Sequence, residues 1–246
     1  MARRRFDEQD IDSDPNESVL DALTRSGVAI PSSCRSGVCQ ACMVRCVEGR
    51  PEPRAQAPLR ASLKEQGYFL ACQCSAEDPM SLTLGELTPS FQDGTVSAIE
   101  SLSECVRLVR VSLATPLQAR AGNFVSLRGP GGILRSYSLA FVSSDGLTLE
   151  LHVAHISGGL MSTWLCQEIS EGQAVELRGP YGDCQYRGGE TLLLIATGSG
   201  LAPIYGIVQD ALAAGHQGAI HLYHGSRSPE GLYLQTELRD LAQEHE

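Results

Sequence analysis

The sequence predicts a chain of several domains: α+β at its start, all-β in its middle and α/β at its end. Three observations carry this reading. Six of the nine cysteines fall between Cys34 and Cys74, apolar runs recur at the spacing of short strands beyond Gly94, and two β-α units follow from Thr191. The chain has 246 residues, of which 42% are hydrophobic and 20% charged. At roughly 100–150 residues per domain that suits two domains, or three if one is short. The same composition excludes disorder and a fibrous repeat.

Taken in order, Glu17 to Ser26 carries Val19, Leu20 and Leu23 at helical spacing and stops at Gly27, which predicts a short amphipathic helix with a glycine cap. Met43 to Val47 and Tyr68 to Cys72 read as short strands. Pro51, Pro53 and Pro58 argue against regular structure between them. Ser81 to Leu87 is a candidate last strand of this part, and Pro89 to Gly94 a linker. Beyond it, strands are expected around Val106 to Val111, Phe124 to Leu127 and Leu147 to Val153, with a helix from Leu160 to Glu168. The final part reads as a strand at Leu192 to Ala196, a helix at Ile204 to Ala214, a strand at Ala219 to Tyr223 and a helix at Leu234 to Glu244.

Charge and targeting signals narrow the function. With 19 Lys+Arg against 29 Asp+Glu, the formal charge of -10 disfavours a phosphate backbone as partner, so nucleic acid is not expected. The acidic run Asp7, Glu8, Asp10, Asp12, Asp14, Glu17 and Asp21 is either a solvated face or a surface for a basic partner. Arg3, Arg4 and Arg5 are followed by Asp7 and Glu8 where a twin-arginine export signal needs an apolar stretch. The longest uncharged stretch, Thr191 to Gln209, is broken by Gly198, Gly200 and Pro203, so no membrane span is expected. An odd number of cysteines in a chain this long favours a reducing compartment, and the expected location is the cytoplasm.

Cys34, Cys39 and Cys42 form C-x4-C-x2-C, and Cys72 follows after 29 intervening residues. This is the plant-type spacing of four thiolates around a [2Fe-2S] cluster. Ser36 and Gly37 lie where the backbone must wrap sulfide closely and donate N–H groups. A structural zinc site normally shows two short C-x2-4-C pairs and fits less well. Cys74 competes with Cys72 for the fourth place, because both would face one side of an extended strand. Cys46, Cys105, Cys166 and Cys184 read as small buried hydrophobes.

PSSCRSGVCQAC (Pro31 to Cys42) and FLACQC (Phe69 to Cys74) resemble the ferredoxin domain of bacterial iron-sulfur flavoprotein reductases. The resemblance covers roughly residues 15 to 88, and it implies a β-grasp fold whose opening hairpin is abbreviated here. Arg135-Ser136-Tyr137-Ser138, after the Gly129 to Gly132 turn, resembles the R-x-Y-S motif of the ferredoxin-NADP reductase superfamily. A guanidinium pairs with pyrophosphate, an aromatic ring stacks on isoalloxazine and a hydroxyl reaches N5, where hydride arrives. Gly158-Gly159-Leu160-Met161-Ser162 resembles the superfamily's second flavin motif at a helix start. His152 and Val153 precede it as candidate flavin neighbours, although a histidine there also suits a purely structural role. Gly179-Pro180-Tyr181-Gly182 resembles the turn that closes the flavin barrel.

Thr197-Gly198-Ser199-Gly200-Leu201-Ala202-Pro203 lies between a strand and a helix and resembles the superfamily's nicotinamide turn. The candidate nucleotide contacts are Thr197, Gly198, Gly200 and Pro203. Arg227, after the second strand, is either a 2′-phosphate partner or a solvated loop residue.

The resemblance implies three domains: a [2Fe-2S] ferredoxin domain over 1–90, an antiparallel FAD-binding β-barrel over 91–187 and a partial α/β NAD(P)-binding domain over 188–246. It implies an NAD(P)H-dependent reductase with Tyr137 and Ser138 at the flavin, passing electrons to a terminal oxygenase or other acceptor protein. Family members continue for further β-α units, so a truncation with crippled nicotinamide reduction is expected. The alternatives are an electron-transfer module without hydride transfer and a reductase serving a deoxysugar dehydratase.

Overall fold

The computed structural model describes residues 4–14, 16–32, 34–37, 40–59, 61–76, 79–84 and 91–245. They divide into two compact units, residues 1–90 together with Leu134–Ser136, and residues 91–133 together with 137–246.

The first unit opens with a tight hairpin of two three-residue strands, β1 (Arg4–Phe6) and β2 (Gln9–Ile11), the abbreviated start that the sequence implies. Helix α1 (Val19–Arg25) begins where the Ser18 hydroxyl accepts the Asp21 backbone N–H at 3.1 Å, and it ends ahead of Gly27 at φ +82°. There follow β3 (Met43–Glu48), the short helices α2 (Pro53–Gln56) and α3 (Ala61–Glu65), β4 (Tyr68–Leu70) and β5 (Ser81–Thr83). The strands form one mixed sheet in the order β2-β1-β5-β3-β4, in which only β1 and β5 run parallel. Leu20 and Leu23 of α1 pack with Ile11, Phe69 and Leu70 in the core, and burying each such side chain contributes about 1.5–3 kcal/mol.

Two expectations need correction here. The proline-rich loop contains α2 and α3, because Pro53 stands in the first turn of its helix, where a missing N–H costs nothing. The strand at Tyr68 ends at Leu70, and Ala71–Gln73 closes into a 3-10 turn. Cys72 and Cys74 therefore do not share the face of one extended strand. The linker and the end of the expected strand at Ser81 to Leu87 fall largely on 85–90, outside the described residues.

The second unit starts as a closed six-stranded barrel: β6 (Gln92–Ser101), β7 (Val106–Leu113), β8 (Phe124–Arg128), β9 (Leu134–Val142), β10 (Thr148–Ala154) and β11 (Ala174–Tyr181), in the order β10-β7-β6-β11-β8-β9. Strand β6 was not expected, and Gly94 lies within it rather than in a linker. Alternate residues point inward, so Val109, Val111, Leu149, Leu151 and Val153 line the core. The expected nine-residue helix is α4 (Leu160–Thr163) followed by a π turn over Trp164–Glu168, whose Trp164 and Leu165 pack on that core. Gly179 to Tyr181 is the end of β11 rather than a turn.

Beyond the barrel come β12 (Thr191–Thr197), α5 (Leu201–Ala213), β13 (Ala219–Gly225) and α6 (Gln235–Glu244). β12 and β13 pair in parallel from Thr191↔Ala219 to Thr197↔Gly225. A Cβ on Gly206 of α5 would strike the Ala140 carbonyl oxygen and the Ala121 Cβ, so glycine is what lets this helix lie against β9. Leu193, Ile195 and Tyr223 are 64%, 67% and 61% exposed on the two-stranded sheet.

Candidate functional site

The cysteine loops are held together by backbone and by one glutamine. The Ala71 N–H donates to the Cys42 carbonyl at 3.0 Å, which sets the turn carrying Cys72 beside the start of β3. Gln73 Nε2 donates to the Arg35 carbonyl at 3.0 Å and lies 3.5 Å from Cys72 Sγ, tying the Cys34 loop to the same turn. The Ser36 N–H points at Cys34 Sγ from 3.4 Å. Gly37, at φ +83°, packs on Gln73, and Arg35 and Gln40 also take left-handed backbone at φ 52° and 57°. N–H groups aimed at sulfur and a backbone curled into a nest suit thiolates that carry shared negative charge. Cys39, the second ligand expected from the spacing, lies outside the described residues. Among the described residues no three His, Cys, Asp or Glu side chains converge on one point.

Cys74 is 2% exposed within the hydrophobic core, as is Cys42, and burial raises the Cys74 thiol pKa. Cys72 is half-buried and sits beside Gln73 at the surface. Gln73 carries no motif signal of its own and was not anticipated. The expectation of small buried cysteines holds for Cys166, is weaker for Cys46 and Cys105, which are half-buried, and fails for Cys184, which is exposed in the loop after β11.

On the barrel, β9 presents Arg135 exposed and Tyr137 and Ser138 half-buried, with Tyr137 packed against the barrel core. Arg135 Nη1 donates to the Leu134 carbonyl at 2.8 Å, and its guanidinium keeps four further N–H donors. Gly131, Gly132 and Gly158 take positive φ, and a Cβ on any of them would meet nothing within 4 Å. Such open, glycine-lined backbone fits the close approach of a cofactor. The Ser162 hydroxyl is occupied locally, accepting from the Ile156 N–H at 3.1 Å and facing the Gly159 carbonyl at 3.1 Å. A Cβ at Gly159 would sit 2.7 Å from that hydroxyl oxygen. The side chains of Val153 and Met161 point into the barrel core, so these two have only backbone to offer a cofactor.

The glycine-rich turn joins β12 to α5 as expected. Gly198 has φ +51°, Gly200 precedes the first residue of α5, and a Cβ on either would meet open space. The positive dipole end of this thirteen-residue helix faces that space. Thr197 is exposed and Pro203 half-buried at its edge. His152 is 6% exposed on β10, and burial lowers its pKa to about 4, so its ring is neutral at physiological pH. Its Nδ1 lies 3.2 Å from the hydroxyl of Tyr233, a buried residue that sequence reading passed over.

Comparison with known proteins agrees with this sequence of sites. Residues 5–77 match the 2Fe-2S iron-sulfur cluster binding domain, 93–186 the oxidoreductase FAD-binding domain and 194–246 the oxidoreductase NAD-binding domain. The chain is 35% identical, over 96% of its length and 75% of the relative, to the reductase subunit of an aromatic O-demethylase from Amycolatopsis. It is 32% identical, over 93% of its length and 72% of the relative, to the ferredoxin–NAD(P)(+) reductase component of a naphthalene 1,2-dioxygenase system from Pseudomonas putida. The crystal structure of an Amycolatopsis cytochrome P450 reductase superposes with a TM-score of 0.64 at 32% identity, covering 100% of this chain and 78% of that one.

Proposed function

Because the chain belongs to the family of [2Fe-2S] flavoprotein reductases that serve as reductase components of oxygenase systems, we propose a role for each of its three sites in moving electrons from NAD(P)H to an oxygenase. The chain is an NAD(P)H-dependent oxidoreductase that uses FAD and a [2Fe-2S] cluster and delivers electrons to an oxygenase partner. FAD held by the barrel would supply the exchange between two-electron hydride chemistry and the one-electron chemistry of a cluster held by the cysteine loops.

In our reading Cys34, Cys39, Cys42 and Cys72 are the cluster ligands, with the N–H groups of Ser36 and Gln73 easing the charge on sulfur. Arg135 pairs with the flavin pyrophosphate, Tyr137 lies against the ring and Ser138 supplies the hydroxyl to N5. Gly159, Met161 and Ser162 offer the backbone around the start of α4. His152 stands behind them, and Val153 offers its backbone. Thr197, Gly198, Gly200 and Pro203 cradle the nucleotide at the N-terminus of α5. We assign the domains to 1–90, 91–187 and 188–246, and the chain to the cytoplasm, a reading that rests on its odd number of cysteines.

The observation that carries this reading is the order of three sites along one chain: the cysteine nest, the R-x-Y-S strand of a closed barrel, and an open glycine turn at a helix N-terminus. Stopped-flow mixing of the flavin- and cluster-loaded chain with NADH or NADPH tests it. We expect flavin absorbance to bleach first and cluster absorbance to follow. A loaded chain whose flavin neither nucleotide bleaches would overturn this reading.

A further inference from the structure

Tyr233 sits where three parts of the second unit meet. It is 2% exposed in the segment between β13 and α6, and Leu234 after it adopts φ 55°, which turns the chain sharply. Its hydroxyl lies 3.2 Å from His152 Nδ1, and its side chain packs with Leu201, the first residue of α5. Its ring meets two imidazoles edge-on, His152 at 5.4 Å and 82°, and His224 at 5.6 Å and 89°. His224 Nε2 lies 3.1 Å from the Gly198 carbonyl, which only accepts, so the imidazole donates there.

The hydroxyl of a residue this buried needs an acceptor, and His152 Nδ1 stands within hydrogen-bond distance of it. Donation from His152 Nδ1 would leave the Tyr233 O–H without one, at the cost of desolvating a donor. Donation from Tyr233 O–H to His152 Nδ1 avoids that cost. We propose that Tyr233 is a positioning residue that locks the His152 ring as its Nε2–H tautomer and, through Leu201 and His224, ties that ring to the glycine turn. The flavin barrel and the nucleotide cradle are then set in register by a single side chain. The consequence for nucleotide binding rests on the nicotinamide reading above; the tautomer does not.

Long-range 1H–15N spectra of the FAD-loaded full chain near neutral pH, with His152 assigned by the H152Q variant, read the tautomer directly. We expect His152 protonated on Nε2 and bare on Nδ1; a protonated Nδ1 overturns the proposal without recourse to any variant at Tyr233. Tyr233→Phe keeps the ring and its edge contacts and removes only the hydroxyl. It should release His152 into a mixture of tautomers and raise the NADH concentration for half-maximal flavin bleaching about 5- to 10-fold, with FAD content unchanged and the saturated rate much less affected. A Tyr233→Phe protein with the wild-type imidazole spectrum and the wild-type NADH dependence overturns the proposal. Failure of NADH and NADPH to bleach the wild-type flavin, alongside an Nε2–H signature at His152, refutes the nicotinamide reading while supporting the tautomer lock.

Discussion

Acidification should weaken the second unit through one buried imidazole. Burial holds His152 at a pKa of about 4, whereas in the unfolded chain it returns to the ordinary 6.5. Between those values the unfolded state binds a proton that the folded state refuses, so this contribution to stability is complete above about pH 6.5 and drains away as pH falls towards about 4. Each tenfold rise in proton concentration within that window is worth about 1.36 kcal/mol, so lowering the pH from about 7 to about 5 removes about 2 kcal/mol through this residue alone. The chain's single tryptophan, Trp164, packs on the barrel core and reports the unfolding of the unit that holds His152. Urea titrations of the flavin-free chain, followed by Trp164 fluorescence at both pH values, give the stability difference. H152Q is expected to be less stable at neutral pH but to lose about 2 kcal/mol less than wild type on acidification. Equal losses in the two proteins would refute the claim that His152 is held neutral by burial.

Four further outcomes are expected. Cys72→Ser should abolish the cluster's visible absorbance, whereas Cys74→Ser should retain it and lower thermal stability; the reverse pattern would exchange the fourth ligand. Gln73→Leu removes the N–H aimed at Cys72 Sγ and should shift the cluster's reduction potential to more negative values in a redox titration, because hydrogen bonds to sulfur stabilise the reduced state. Arg135→Ala should weaken FAD binding about 10- to 100-fold, the worth of a charge-assisted hydrogen bond, as read by fluorescence titration. Gly206→Ala places a Cβ against the Ala140 carbonyl and should cost about 1–3 kcal/mol, seen as a lower Tm.

Much of the architecture was legible because it rests on local pattern. The alternation of Leu147, Leu149, Leu151 and Val153 marked β10, and the apolar run before Gly198 marked β12, since strand periodicity is written directly in side-chain order. Boundaries were less legible. Cys72 looked like strand because nothing in FLACQC announces the 3-10 turn that the Ala71 N–H makes by reaching the Cys42 carbonyl. Pro53 looked like a breaker because a proline at the first turn of a helix and a proline in a loop read alike.

The sequence by itself determined the chemistry on offer: the thiolate spacing, the R-x-Y-S strand and the glycine turn at a helix start, because each is a short run of residues whose local geometry the backbone dictates. Only the tertiary structure decided which groups work together. It brought Gln73 to the Cys34 loop across 38 residues and Tyr233 to His152 across 81. Such pairings are set by how strands and helices pack, and packing depends on the whole core at once, so no local pattern in the chain records them.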